Sequence, residues 1–245
     1  MSPLVFLLLV VAGFFTGIVG FVTGMASLVS YPALLAAGLP PVTANVTNTV
    51  AMVAVGVGST ANSTQELSGR GQKLVWWAAA SALGGLTGAC VLLLAPEGTF
   101  EAIVPFLVAM ASLALLAQPV IRKHVAERDF PRLVPISIFA IAIYGGYFGA
   151  GAGVIFLSLI LICTKETVWG ATVLKSFLLG IANLIAAVGF AVFGPVHWVA
   201  TLALAMGALV GGWFGPPVVK LIPPEVLRIG VAILGLGLAA WLLIR

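Results

Sequence analysis

Lys175 is the residue of this sequence whose position most demands a chemical reason. It lies six residues into an apolar segment that begins near Trp169, flanked by Val173, Leu174, Phe177 and Leu178. An ammonium in a membrane interior costs roughly 2.5–3.5 kcal/mol on insertion scales, so it faces a cavity or a partner. The acidic residues Glu66, Glu97, Glu101, Glu127, Asp129, Glu166 and Glu225 all map to loops or segment ends, and none lies mid-segment to neutralise it. That leaves an anionic ligand as one reading. Snorkelling is the other: at a depth of about 9 Å by helical rise, a four-carbon stem still reaches the interface. A carboxylate proton relay or a carboxylate-built sodium site has little support.

A second group is the polar run Asn45, Thr47, Asn48 and Thr49, set in another apolar segment. Positions 45, 48 and 49 share a helix face by the 3–4 spacing. Adding 127 to these numbers lands on Thr172, Lys175 and Ser176. The same offset carries Gly24 to Gly151, Ala44 to Ala171, Gly85 to Gly212, Gly88 to Gly215 and Pro96 to Pro223, without gaps. The chain is therefore read as a duplicated unit of about 120 residues: a first repeat over 1–121, a charged connector over 122–132 and a second repeat over 133–245. Two polar faces related by a pseudo-twofold axis would line a site between the halves; polar side chains in membrane helices also serve as packing contacts.

The elements that would position these groups follow from composition. Of 245 residues, 62% are hydrophobic and only 7% charged. A soluble domain carries about 25% charged residues, so soluble enzymes and nucleic-acid binders are excluded. The chain is read as an all-α polytopic membrane protein with the lipid bilayer as its surroundings and no nucleic-acid partner. Apolar stretches run over 3–21, 25–38, 43–62, 74–95, 101–120, 133–149, 152–163, 169–193, 197–219 and 226–244. As one helix, 3–38 would be about 54 Å long, too long for one crossing, so it breaks at Gly17, Gly20 and Gly24. The stretch 133–163 has its own cluster, Gly145, Gly146, Gly149, Gly151 and Gly153. A cleaved signal peptide is disfavoured, since no charged region precedes the first stretch and no clear cleavage site follows it.

If each broken stretch crosses once, there are 8 spans and parallel halves; if each makes a hairpin, there are 10 segments and inverted halves. In the second count Arg70, Lys73, Arg122, Lys123, Arg128, Arg132, Lys165, Lys220 and Arg228 share one side, opposite Arg245. The positive-inside rule favours that split, and inverted repeats are common in secondary transporters. A short helix beginning after Gly24 or Gly151 would present free N–H groups and a partial positive charge at membrane depth, a recurrent anion-binding device. Thr23, Ser27 and Ser30 would add hydroxyls, and Gly153 belongs to the same turn. The motifs Gly84-Gly85-Xaa-Xaa-Gly88 and Gly211-Gly212-Xaa-Xaa-Gly215 read as close helix packing.

The sequence has no Gly-Xaa-Ser-Xaa-Gly, no His pair at metal spacing and no phosphate-cradling loop, so neither a cofactor nor enzymatic chemistry is expected. His124 and His197 fall at a loop and a segment boundary, and Cys90 and Cys163 lie in apolar stretches as packing residues.

The run Ser-Leu-Val-Ser-Tyr-Pro-Ala-Leu-Leu-Ala-Ala-Gly-Leu-Pro-Pro-Val-Thr-Ala-Asn-Val-Thr-Asn-Thr over 27–49 resembles the first signature of the TauE/SafE family of sulfite and organosulfonate exporters. Gly-Gly-Tyr-Phe-Gly-Ala-Gly-Ala-Gly over 145–153, followed by Val-Leu-Lys-Ser over 173–176, is similar to the second-half signature. Phe-Gly-Pro-Val-His-Trp over 193–198 and Ile-Pro-Pro-Glu-Val-Leu-Arg over 222–228 fit as well. The resemblance implies export of a small sulfur-containing anion, such as sulfite or sulfoacetate, from the cytoplasm across the inner (cytoplasmic) membrane. One departure stands out. Where the family usually has a triple glycine, this chain has Gly24-Met25-Ala26, and Met25 is expected to narrow the opening made by the turn.

The resulting expectation is a secondary transporter working by alternating access, with Lys175, Asn45, Asn48, Thr49, Thr172, Ser176, Ser27, Gly24, Gly151 and Gly153 as binding residues. Proton coupling would run through the Lys175 proton. A passive anion channel is the alternative, and a membrane-embedded enzyme or scaffold the more distant one.

Overall fold

The computed structural model describes residues 1–61, 67, 71–96, 98–124, 133–164, 166–218 and 224–244. Among these the chain is helical throughout, in ten helices: α1 Pro3–Thr23, α2 Ser27–Ala36, α3 Pro41–Ala61, α4 Gly71–Leu94, α5 Thr99–His124, α6 Val134–Tyr147, α7 Ala152–Cys163, α8 Val168–Phe193, α9 Trp198–Val218 and α10 Pro224–Ile244. Six of them are long and apolar enough to cross a bilayer, and the shorter α2, α6, α7 and Ile229–Ile244 are equally apolar. Large apolar side chains stay exposed along the outer faces, among them Leu7, Trp76, Phe106, Val192, Trp198 and Ile233. A soluble monomer rarely exposes so large a contiguous apolar surface. The chain is a polytopic membrane protein.

Both glycine-broken stretches end a helix within the predicted glycine clusters, but Gly17 and Gly20 lie inside α1 and only Gly24 breaks it, as Gly145 and Gly146 lie inside α6 and Gly153 inside α7. Gly24 takes φ +80° as the left-handed cap of α1, its N–H donating to the Gly20 carbonyl at 3.0 Å, and the chain restarts as α2 at Ser27. In the second half Gly149 and Gly151 take φ +78° and +81° between α6 and α7. That region is nearly free of cost only for glycine. The starts of other helices follow their local chemistry. Pro41 opens α3, His197 Nδ1 accepts the Ala200 N–H at 3.2 Å at the start of α9, and the Thr167 hydroxyl accepts the Gly170 N–H at 3.1 Å to cap α8.

The ten helices fall into two sets of five under the 127-residue offset, α1–α5 and α6–α10, and the packing respects that exchange. Helix α1 packs along α9 as α6 packs along α4, while α3 meets α9 as α8 meets α4. The pairs α3 with α8 and α5 with α10 map onto themselves. Each half therefore packs its first helix on the other half. Helices α4 and α8 run in the same sense: Ser81 donates to the Leu178 carbonyl at 2.7 Å, Gly85 lies against Ala182, and Ala89 against Gly189. Ten alternating segments set these two helices parallel, whereas eight spans would set them antiparallel. Gly84, Gly85 and Gly88 seat α4 directly on the backbones of α6 and α8, the packing role their spacing suggests.

Of the nine cations assigned to one side of the bilayer, Arg70, Arg128, Arg132, Lys165 and Lys220 lie outside the described residues, as does Arg245, assigned to the opposite side. Helix α5 continues to His124, three residues into the segment read as a connector. Cys163 is buried, whereas Cys90 is exposed on α4 and is not the packing residue its apolar setting suggested.

Candidate functional site

The two breaks meet at the centre of the molecule. A Cβ on Gly24 would lie 2.6 Å from the Gly153 carbonyl carbon, and one on Gly153 would lie 2.4 Å from the Gly24 oxygen. Only two glycines allow these backbones to touch. Around this contact α1, α2, α3 and α8 and the Phe148–Gly149 turn line a partly open cavity of about 40 Å³. One water needs about 10–15 Å³ by this measure, so the space suits a few waters or one compact ion. Gly24, Ser27, Asn48, Thr49, Lys175 and Ser176 all line it.

Lys175 is 1% exposed. Its Nζ donates to the carbonyls of Gly20 at 3.1 Å and Phe21 at 2.9 Å, and lies 5.8 Å from the Phe21 ring centroid. Snorkelling is excluded at this burial. The ammonium sits instead on the carbonyl end of α1, where the helix carries about half a negative charge, and it also reaches the cavity wall. Two of its three N–H groups are engaged there, and the third makes no hydrogen bond to a described residue.

The first half places Asn48 at the equivalent position. Its Nδ2 donates to Ser27 Oγ at 3.1 Å and its Oδ1 accepts from Ser30. Ser27 Oγ therefore acts as acceptor towards Asn48 and keeps its own hydrogen for the cavity. The helix-end contact is made one turn earlier, where Asn45 Nδ2 donates to the Tyr147 carbonyl at 2.8 Å. Tyr147 is Gly20 plus 127, so each half closes the end of the other half's broken helix.

Several sequence-derived candidates lie elsewhere. Asn45 is directed at Tyr147 and Thr172 at the carbonyl of Val168, 2.8 Å away, so neither lines the cavity. Gly151 backs onto Ala111 and Gly153 onto Gly24; they shape the turn without facing the space. Thr23 and Ser30 direct their hydroxyls to Val19 and to Asn48. Thr49 and Ser176 line the cavity but donate to carbonyls of their own helices, Asn45 and Thr172, at 3.0 Å, offering it acceptor lone pairs. Met25 is fully buried in the apolar core and does not border the cavity, so it does not narrow it.

Sequence reasoning missed Asn183 and Ser59, and it named Gly149 as part of the glycine break without placing it at the site. Asn183 is 8% exposed, lines the cavity and makes no hydrogen bond to a described residue, so both amide N–H groups are available. Its repeat mate is Gly56, which is why the offset did not mark it. The start of α2 borders the cavity through Ala26 and Ser27; the N–H groups of Leu28 and Val29 donate to the Met25 and Ala26 carbonyls at 3.1 and 3.0 Å, which leaves those of Ala26 and Ser27 as the backbone donors of this helix start.

The arrangement is one buried ammonium, several convergent donors and the start of α2, the composition of an anion site. A family model, "Sulfite exporter TauE/SafE", matches residues 6–242. This chain belongs to the sulfite exporter TauE/SafE family. The family is one of membrane transporters, and the resemblance of the 27–49 and 145–153 signatures is thereby established across nearly the whole chain. Among curated relatives, "Probable membrane transporter protein ORF9" of Sinorhizobium sp is 29% identical over 217 residues, 84% of this chain and 80% of its own length. "Probable membrane transporter protein YfcA" of Escherichia coli strain K12 is 26% identical over 236 residues, 92% of this chain and 86% of its own. No solved structure matches the chain.

Proposed function

We propose that this TauE/SafE member is a secondary transporter that exports a small sulfur-containing anion, sulfite or a short organosulfonate, across the cytoplasmic membrane. The observation that carries the reading is Lys175, fully buried and set in the wall of a polar cavity at the meeting point of the two breaks. In this role Lys175 supplies the positive charge. Ser27, Asn48 and Asn183 supply hydrogen bonds, and the start of α2 supplies backbone donors. Lys175 fixes the end of α1, and Asn45 the end of α6, each from the opposite half. Relative movement of the halves would thus change both helix ends and the cavity together, which is what alternating access requires. The ten-segment count supports halves inverted in the membrane.

The cavity of about 40 Å³ suits sulfite as it stands, and a longer organosulfonate would enter only as the halves part. Proton coupling would run through the Lys175 proton. Flux of labelled sulfite and sulfoacetate into proteoliposomes, with and without an imposed proton gradient, tests the proposal. Transport by the wild-type chain and its loss in Lys175→Ala are expected. Equal flux through both proteins overturns the role of the lysine, and ion conduction far above transporter turnover would replace the transporter by a channel.

A further inference from the structure

A second cavity, of about 460 Å³, lies further along α2. It is bordered by Leu35 and Gly38 at the end of that helix, Pro41 at the start of α3, Glu101 in the first turn of α5 and Trp241 near the end of α10. In the ten-segment count these helix ends fall on the side opposite the cation-rich one. Glu101 is the single ionisable group among its lining residues.

Helix α2 runs from one space to the other. Ser27 borders the Lys175 cavity and Leu35 the second one, and Tyr31 stands one turn from each on the same face. The Tyr31 ring meets Phe148 edge-on at 5.5 Å between centroids, Phe148 meets Phe100 at 5.8 Å, and Phe100 meets Tyr147 at 5.9 Å. Tyr31, Phe100 and Phe148 are buried, and Phe148 itself borders the Lys175 cavity. The rings therefore stand between the two spaces. They come from three elements, α2, the start of α5 and the turn after α6, so the cluster parts when those elements separate. The 127-residue offset pairs Tyr31, Tyr147 and Phe148 with Ser158, Gly20 and Phe21. Exchange of the halves thus does not rebuild the cluster on the opposite side. It also holds a polar group in reserve. The Tyr31 hydroxyl is buried without a hydrogen-bond partner among the described residues, an arrangement that is costly to keep, and the Glu101 carboxylate acts on it electrostatically.

We infer that Tyr31, Phe100 and Phe148 form the gate between the Lys175 cavity and the side opposite the cation-rich loops, with the Glu101 pocket as its vestibule and the Tyr31 hydroxyl as a donor to the anion passing through. This rests on reading the Lys175 cavity as a transport site. Separation of α2 from α5 and the turn after α6 opens the rings and turns the unpaired hydroxyl into a hydrogen bond for the passing anion. Beyond the gate the anion meets a carboxylate instead of an ammonium, which favours its departure.

The gate is tested by thiol accessibility in the full-length chain with Cys90→Ala and Cys163→Ala. Right-side-out membrane vesicles receive 2-sulfonatoethyl methanethiosulfonate, a charged reagent that does not cross the bilayer. Glu101→Cys, in the vestibule, should react readily, and Ser27→Cys, behind the rings, at least about tenfold more slowly, the closed rings being held by two or more aromatic pairs. Adding Tyr31→Ala and Phe148→Ala should remove most of that difference. Equal reaction of the two cysteines with all rings in place overturns the gate, as does a Ser27→Cys rate left unchanged by the double truncation. The first comparison leaves every ring intact and decides the matter even where the truncated chain does not fold. Tyr31→Phe keeps the ring, so Ser27→Cys labelling should stay slow while flux of labelled sulfite falls about tenfold, the loss of a hydrogen bond to a charged group. Unchanged flux overturns the role of the hydroxyl. Absence of flux in the wild-type chain overturns the transport reading, whereas the labelling rates need no substrate and judge the barrier separately.

Discussion

Helices α3 and α8 occupy equivalent places in the two halves and solve one problem in different ways. Each crosses to the opposite half and satisfies a carbonyl at the end of a broken helix. Helix α8 does so with the Lys175 ammonium on Gly20 and Phe21, and α3 with the Asn45 amide on Tyr147. A hydrogen bond to a charged group contributes about 1.5–3 kcal/mol, against about 1 kcal/mol for a neutral one. The helices at these two places pack alike while the chemistry at their contacts differs. The half with the lysine brings charge to the cavity. The half with the asparagine brings only hydrogen bonds.

The strongest way to break the contrast is Lys175→Asn, which gives the second half the residue of the first. The shorter amide removes the charge and leaves two buried carbonyls without their partner, so proteoliposome flux should fall about a hundredfold. Retained flux would mean that the charge plays no part in transport. Next in size is Gly24→Ala, which forces a methyl group into the Gly153 backbone at a φ of +80°. Left-handed strain of about 1–2 kcal/mol adds to that overlap, so the thermal transition should drop by several degrees. An unchanged transition would show that the two turns are not in fixed contact.

Asn45→Ala tests the neutral side of the comparison. It leaves the part-buried Tyr147 carbonyl without its partner, and a loss of about 1 kcal/mol in chemical denaturation is expected, with flux reduced far less than in Lys175→Asn. A larger effect on flux than that of the lysine variant would reverse the assignment of the two roles. Smallest of all is Ser176→Ala. Its hydroxyl donates within its own helix to Thr172, so stability should change by about 0.5 kcal/mol or less, and anion affinity should stay near wild type in titration. A tenfold loss of affinity would give Ser176 a direct contact with the ligand.

Local properties were readable from the residues in order. The apolar stretches coincide with the ten helices to within a few residues, and the breaks fall on Gly24 and on Gly149 and Gly151. The offset of 127 set positions 45, 48 and 49 against 172, 175 and 176, and the depth of Lys175 marked it as a residue in need of a partner. It could not tell lining from neighbouring. Asn45 and Asn48 share a helix face, yet one points to Tyr147 and the other to the cavity. Thr172 matched Asn45 in the repeat, but its hydroxyl is satisfied one turn back. Asn183 had no polar mate at Gly56, so a symmetry argument passed over it. Met25 looked like an obstruction because it replaces a glycine in the turn, and the turn directs it into the core instead.

Two kinds of constraint account for this division. Membrane residence, helix formation and the places where helices stop depend on side-chain polarity and backbone freedom within a few neighbouring residues, and those are written in the chain order. What Lys175 touches depends on groups 155 and 154 positions away, brought to it only when α8 packs against the other half. An apolar segment specifies that a lysine inside it needs a partner, but not which one. The crossed packing of the halves supplies carbonyls on one side of the ammonium and a small polar cavity on the other.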